Sequence, residues 1–178
     1  ILNRLPAEGF TVAVSSAGID GETLDLVTGT SKPEIFLRRG TLFATSEKHY
    51  RERRILSELI DISNRKTSLG RVVTARALSH GKSQLSGHPT TDALKRWIER
   101  ALEVFGADLA IIDGALSRVS IASPAVTEGL ILSTGAAISA SIDNLVFKTA
   151  FMVELINLER TSVVGNNEGN IPANGIWS

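Results

Sequence analysis

Asp113 directly follows the apolar run Leu109-Ala110-Ile111-Ile112 and is itself followed by Gly114-Ala115, then Ser117 and Arg118. In open α/β sheets, ligands bind beyond the carboxyl ends of the strands. In nucleotide-hydrolysing folds an acid at that position faces magnesium, and Arg118 is placed to neutralise phosphate charge. A second group is Ser15-Ser16-Ala17-Gly18-Ile19-Asp20-Gly21-Glu22, a loop of small residues carrying two acids, Asp20 and Glu22. Carboxylates, water and phosphate oxygens together are the usual magnesium environment. Thr134-Gly135 closes a further apolar run, and Lys32 lies in the hydroxyl-rich segment Thr28-Gly29-Thr30-Ser31-Lys32-Pro33. Each group also has a plainer reading. Asp113 with Gly114 can simply make a turn, residues 15–22 can be an ordinary strand-to-loop connection, and residues 28–33 a solvated turn.

Several chemistries are excluded by composition. The chain has no cysteine, so disulfides, thiolate metal sites and cysteine nucleophiles are out. Lys plus Arg and Asp plus Glu each number 19, so the formal net charge is zero and gives no case for nucleic acid or an anionic membrane as main partner. No run of about 20 apolar residues is present, and a cytoplasmic location is expected. Within the sequence there is no Gly-x-x-x-x-Gly-Lys-Ser/Thr, no Gly-x-Gly-x-x-Gly and no Gly-x-Ser-x-Gly. His49 and His80 are too isolated in sequence from other ligand-type residues to suggest a metal pair.

The elements that must position these groups are read from periodicity. Hydrophobic content is 43% and aromatic content 5%, so the core is aliphatic. Leu2 and Leu5 read as the end of a helix broken at Pro6. Core strands are expected at residues 10–14 and 40–45. A polar helix then opens at Ser46, its later half turning Ile55, Leu56, Leu59 and Ile60 inward at helical spacing; its Arg51–Arg54 cluster reads as a solvated face. Residues 71–77 alternate as a strand, and with the turn signal at 79–82 and the short run 83–87 they suggest a hairpin. The clearest helix opens after Pro89, capped by Thr90 or Thr91, with Leu94, Trp97, Ile98, Ala101, Leu102 and Phe105 on one stripe and Gly106 at its end. Strands at residues 109–112 and 130–135 and a helix from Asp143 to Arg160 follow. The expected fold is α/β: a mainly parallel sheet with helices on both faces, P-loop NTPase-like, with a small β-hairpin excursion. The expected division is one domain over residues 1–160 and an irregular tail over 161–178.

The groups at residues 15–22, Lys32-Pro33, residues 40–45, 112–118, Ser123-Pro124-Ala125-Val126-Thr127 and Ser133-Thr134-Gly135-Ala136 together resemble a P-loop-type family. It is the family associated with reactivating the cobalamin-dependent lysine 5,6- and ornithine aminomutases. The resemblance spans about residues 1–160. It implies a Gly-Lys-Thr phosphate loop upstream of the helix ending at Leu5. It also implies Asp113 as the acid after a core strand, and Asp20 and Glu22 as a switch-like loop facing the metal.

The resulting expectation is an ATP- and magnesium-dependent protein that reactivates or remodels an aminomutase, with ATPase activity left open. Asp113 and Asp20 are the candidate catalytic residues, and Asp113 and Glu22 the candidate metal ligands. Arg118, Thr134, Gly135 and Lys32 are the candidate nucleotide contacts. Homo-oligomerisation is left open. Two alternatives belong to other classes: an ATP-dependent small-molecule ligase or synthetase, and a non-catalytic binding or scaffold protein that uses the Arg51–Arg54 cluster and the last helix.

Overall fold

Val12-Ala13-Val14 has no polar side, as suits a strand covered on both faces, and it forms the centre of β1 (Val12–Ser16). The computed structural model describes residues 2, 4–16, 34–114, 126–136 and 138–157, and the chain divides into two compact units, Ile1–Leu130 and Ile131–Ser178. In the first unit, β1 lies between β3 (Leu42–Ser46) and β7 (Leu109–Asp113) and is parallel to both. β5 (Gly70–Ala77) pairs antiparallel with β3, and β4 (Ser57–Thr67) pairs antiparallel with β5. The five-stranded sheet therefore runs β4-β5-β3-β1-β7. The short strands β2 (Ile35–Leu37) and β6 (Gly81–Ser83) pair antiparallel as a separate two-stranded sheet.

This architecture corrects the expected mainly parallel sheet with helices on both faces. The sheet is mixed, and the reason is local. The tight turn after Thr67 returns the chain directly, which only an antiparallel pair permits. Gly70 takes that turn at φ +90°, where a side chain is strained. Parallel pairing needs a long crossover, and α2 (Thr91–Glu103) supplies the one leading into β7. Its Leu94, Trp97 and Ala101 pack on Ala13, Leu42, Ala44 and Val72 on one sheet face. The other face is covered differently: Phe43, Ala75 and Ala77 meet Leu37 of β2, Ile55 and, partly buried, Tyr50 of α1 (Glu47–Glu52). A small β-sheet and one short helix stand where a helical layer was expected.

Several local expectations change as well. The polar helix stops at Glu52, and residues 57–67 are strand, because Ile60 joins the α2-side core from a strand paired with β5. The hairpin expected between residues 71–77 and 83–87 does not form: β5 pairs with β3 and β4, and β6 pairs with β2. Residues 130–135 form no strand, and Leu5–Glu8 is a 3-10 turn. In the second unit, α3 (Ile142–Ile156) is capped by Ser141, whose hydroxyl accepts the Asn144 N–H, two residues before the expected cap at Asp143. No helix among the described residues is long and apolar enough to cross a membrane.

Candidate functional site

Two polar residues mark the ends of the chain's parallel ladder. At its start, Asp108 accepts the Thr11 N–H on Oδ2 at 2.7 Å, and its own N–H donates to the Thr11 carbonyl at 2.8 Å. That clamp fixes which residue of β7 meets which residue of β1. Five residues on, the same register sets Ser16 opposite Asp113. Paired residues on neighbouring strands point to the same face, so a hydroxyl and a carboxylate share one side of the sheet's carboxyl rim. Continuing the β1–β3 register by two residues sets Thr45 level with them. Asp113 is exposed, Ser16 is half-buried, and Thr45 is fully buried.

Among the described residues β7 is an edge strand, so an apolar run that would suit burial on both faces is only partly covered. Leu109 is 40% exposed, and Ala110, Ile111 and Ile112 are partly covered. The edge position is what leaves the Asp113 carboxylate open to solvent.

The neighbouring rim, at the end of β3, is tied down by polar contacts. Thr45 Oγ1 donates to the Gln84 carbonyl at 2.7 Å. Ser46 caps α1 by accepting the His49 N–H at 3.2 Å. The buried His49 ring meets the Ser86 hydroxyl at 2.6 Å through Nδ1. Glu47 takes the Arg71 guanidinium at 2.7 Å and the Arg71 N–H at 2.8 Å. The side-chain bonds from Arg71, then its backbone N–H, hold the Glu47 carboxyl below the usual carboxylate range, and the Glu47 partner raises Arg71. These bonds fasten α1 to the first residues of β5. They are structural ties; sequence reasoning opened the helix at Ser46, which is its cap, and found none of the others.

The candidate residues divide three ways. Asp113 lies on the rim of the first unit. Thr134 and Gly135 belong to the second unit, where Thr134 Oγ1 meets Thr149 Oγ1 of α3 at 3.0 Å. Asp20, Glu22, Lys32 and Arg118 lie outside the described residues. Among the described residues, no three His, Cys, Asp or Glu side chains gather as a metal cage. A single exposed carboxylate beside a hydroxyl does fit magnesium brought in on phosphate, since that ion keeps several waters and needs only one or two protein carboxylates. Sequence reasoning had also missed Asp108. Its signal was present: two aspartates bracket one apolar run.

Against known protein families, curated proteins and solved structures, the chain finds no match.

Proposed function

We propose that the chain is a nucleotide-dependent protein that takes ATP with magnesium and reactivates or remodels a cobalamin-dependent aminomutase in the cytoplasm. The supporting observation is the exposed Asp113 carboxylate held in register with Ser16 at the carboxyl ends of two parallel strands. The reading rests on this rim and on the motif resemblance of the sequence, and not on a parallel P-loop architecture.

In this reading Asp113 would hold the metal through water, with the Ser16 hydroxyl beside it. Asp20 or Glu22 would complete the metal side or orient the attacking water, and Arg118 and Lys32 would meet phosphate oxygens. When bound, magnesium spreads the negative charge of the phosphate oxygens and orients them. The protein's own contribution is a fixed carboxylate whose backbone is clamped five residues upstream at Asp108.

The test is an aminomutase assay. Lysine or ornithine aminomutase is allowed to inactivate during turnover, and the full-length protein is then added with magnesium and ATP. Recovery of mutase activity that requires ATP is expected. Failure to restore activity to either enzyme, under conditions where fresh cobalamin cofactor does restore it, rejects the reactivation reading.

A further inference from the structure

The outer face of the small sheet carries a row of side chains that the rim does not use. The β2–β6 register sets Phe36 opposite Lys82, and an antiparallel bridge sets Arg54 opposite Lys82. Cross-strand partners share a face, so Phe36, Lys82 and Arg54 stand in one line. The alternate residues Leu37 and Ile55 enter the core at 1% and 8% exposure, which fixes the row on the outside. Phe36 is 44% exposed and the Arg54 side chain 78% exposed.

His80 lies over Phe36, ring centroids 6.4 Å apart and planes 8° from parallel. Its Nδ1 accepts the Arg39 N–H at 3.4 Å, which makes Nε2 the donor of the neutral ring. The cations in line with this ring pair are Lys82 and Arg54. Against them the face sets Glu34, 29% exposed and 3.7 Å from Arg54. The face is thus cationic and aromatic on a chain whose formal charge is zero.

We propose that this face docks a short acidic segment of a partner protein. Carboxylates of that segment meet Lys82, Arg54 and the His80 Nε2–H, and an apolar side chain rests on the Phe36–His80 pair. The span decides the class of partner. Strands of three residues cover about 10 Å, room for a few peptide residues and too short for the train of phosphate contacts that nucleic acid binding requires. Charge complementarity on such a face acts mainly through steering and specificity. The proposal stands apart from the nucleotide reading, and its test contains no nucleotide.

The experiment is fluorescence anisotropy of the full-length protein with a labelled peptide of alternating Glu and Leu. The comparison probes are the same peptide with Gln for Glu and a labelled single-stranded oligonucleotide. Saturable binding of the acidic peptide is expected, weakened by salt. Lys82→Glu and Arg54→Glu are each expected to lower affinity roughly tenfold, and Lys82→Gln and Phe36→Ser by a smaller factor, with circular dichroism unchanged. Absence of saturation up to millimolar peptide overturns the proposal. So does equal binding of the Gln peptide, unchanged affinity in both Lys82 variants, or tighter binding of the oligonucleotide.

Discussion

Ser16 and Asp113 face the same side of the sheet because Asp108 and Thr11 are already bonded five residues upstream. A backbone amide held by a carboxylate at one end of a strand pair dictates which side chains meet at the other. A slip of one residue would turn Asp113 to the opposite face.

Replacing Asp108 by Ala removes the acceptor for the Thr11 N–H and leaves the reciprocal backbone bond alone. The expected loss is about 1 kcal/mol of stability, read by urea unfolding. Asp108→Asn keeps an acceptor oxygen and is expected to lose less. If the two variants unfold at the same urea concentration as the unaltered protein, the clamp does not set the register.

The α2 face of the sheet contains a buried polar pair: Trp97 Nε1 donates to Thr74 Oγ1 at 2.9 Å. Thr74→Val keeps the volume and strands the indole N–H, an expected cost of about 1–3 kcal/mol. Trp97→Ala removes the largest buried side chain of the helix and is expected to cost about 3–5 kcal/mol. Thermal melts order the two variants.

His88 gives the fold an acid-sensitive point. It is 8% exposed, its ring tilts against Trp97 at 5.8 Å, and its Nδ1 has no partner among the described residues. Burial, then the Arg96 charge, lowers its pKa from 6.5 to about 4, with Asp61 pulling the other way. Above the unfolded value both states are neutral and stability is fully present. As pH falls from 6.5 towards 4 the unfolded chain takes up the proton first, so stability drops with falling pH. The full loss is about 3 kcal/mol. Urea midpoints across that range should show the slope, and His88→Gln should flatten it.

Gly70 sits at φ +90°, and a Cβ there would lie 2.7 Å from Glu47 Oε2. Gly70→Ala is therefore expected to cost about 1–2 kcal/mol in backbone strain alone and to disturb the Glu47–Arg71 pair as well. Less salt sensitivity of stability in the variant than in the unaltered protein is the accompanying sign.

Much of this follows from signals of different reach. α2 was legible because Leu94, Trp97 and Ala101 repeat at helical spacing behind a threonine cap, all within one segment. The end of β7 was legible because an apolar run stops at Asp113. β4 was misread because Ile55, Leu56, Leu59 and Ile60 satisfy helical spacing, while the partner that makes Ser57–Thr67 a strand is β5, a separate run of sequence. The hairpin between residues 71–77 and 83–87 was misread for the same reason, since β6 finds Ile35–Leu37 far upstream. The mixed sheet followed from those two pairings. Of the candidate site, Asp113 was legible from position; its partner Ser16 was not, because register depends on the Asp108 clamp.

The central claim concerns the Asp113 carboxylate, and calorimetric titration of the full-length protein with ATP, with and without magnesium, tests it most directly. Asp113→Asn should leave the melting temperature within about 0.5 kcal/mol of the unaltered protein in stability terms, because the side chain is exposed. The account predicts that magnesium strengthens ATP binding to the unaltered protein and that Asp113→Asn abolishes that gain, leaving metal-free binding intact. Equal magnesium enhancement in both proteins, or no ATP binding by the unaltered protein, would contradict it.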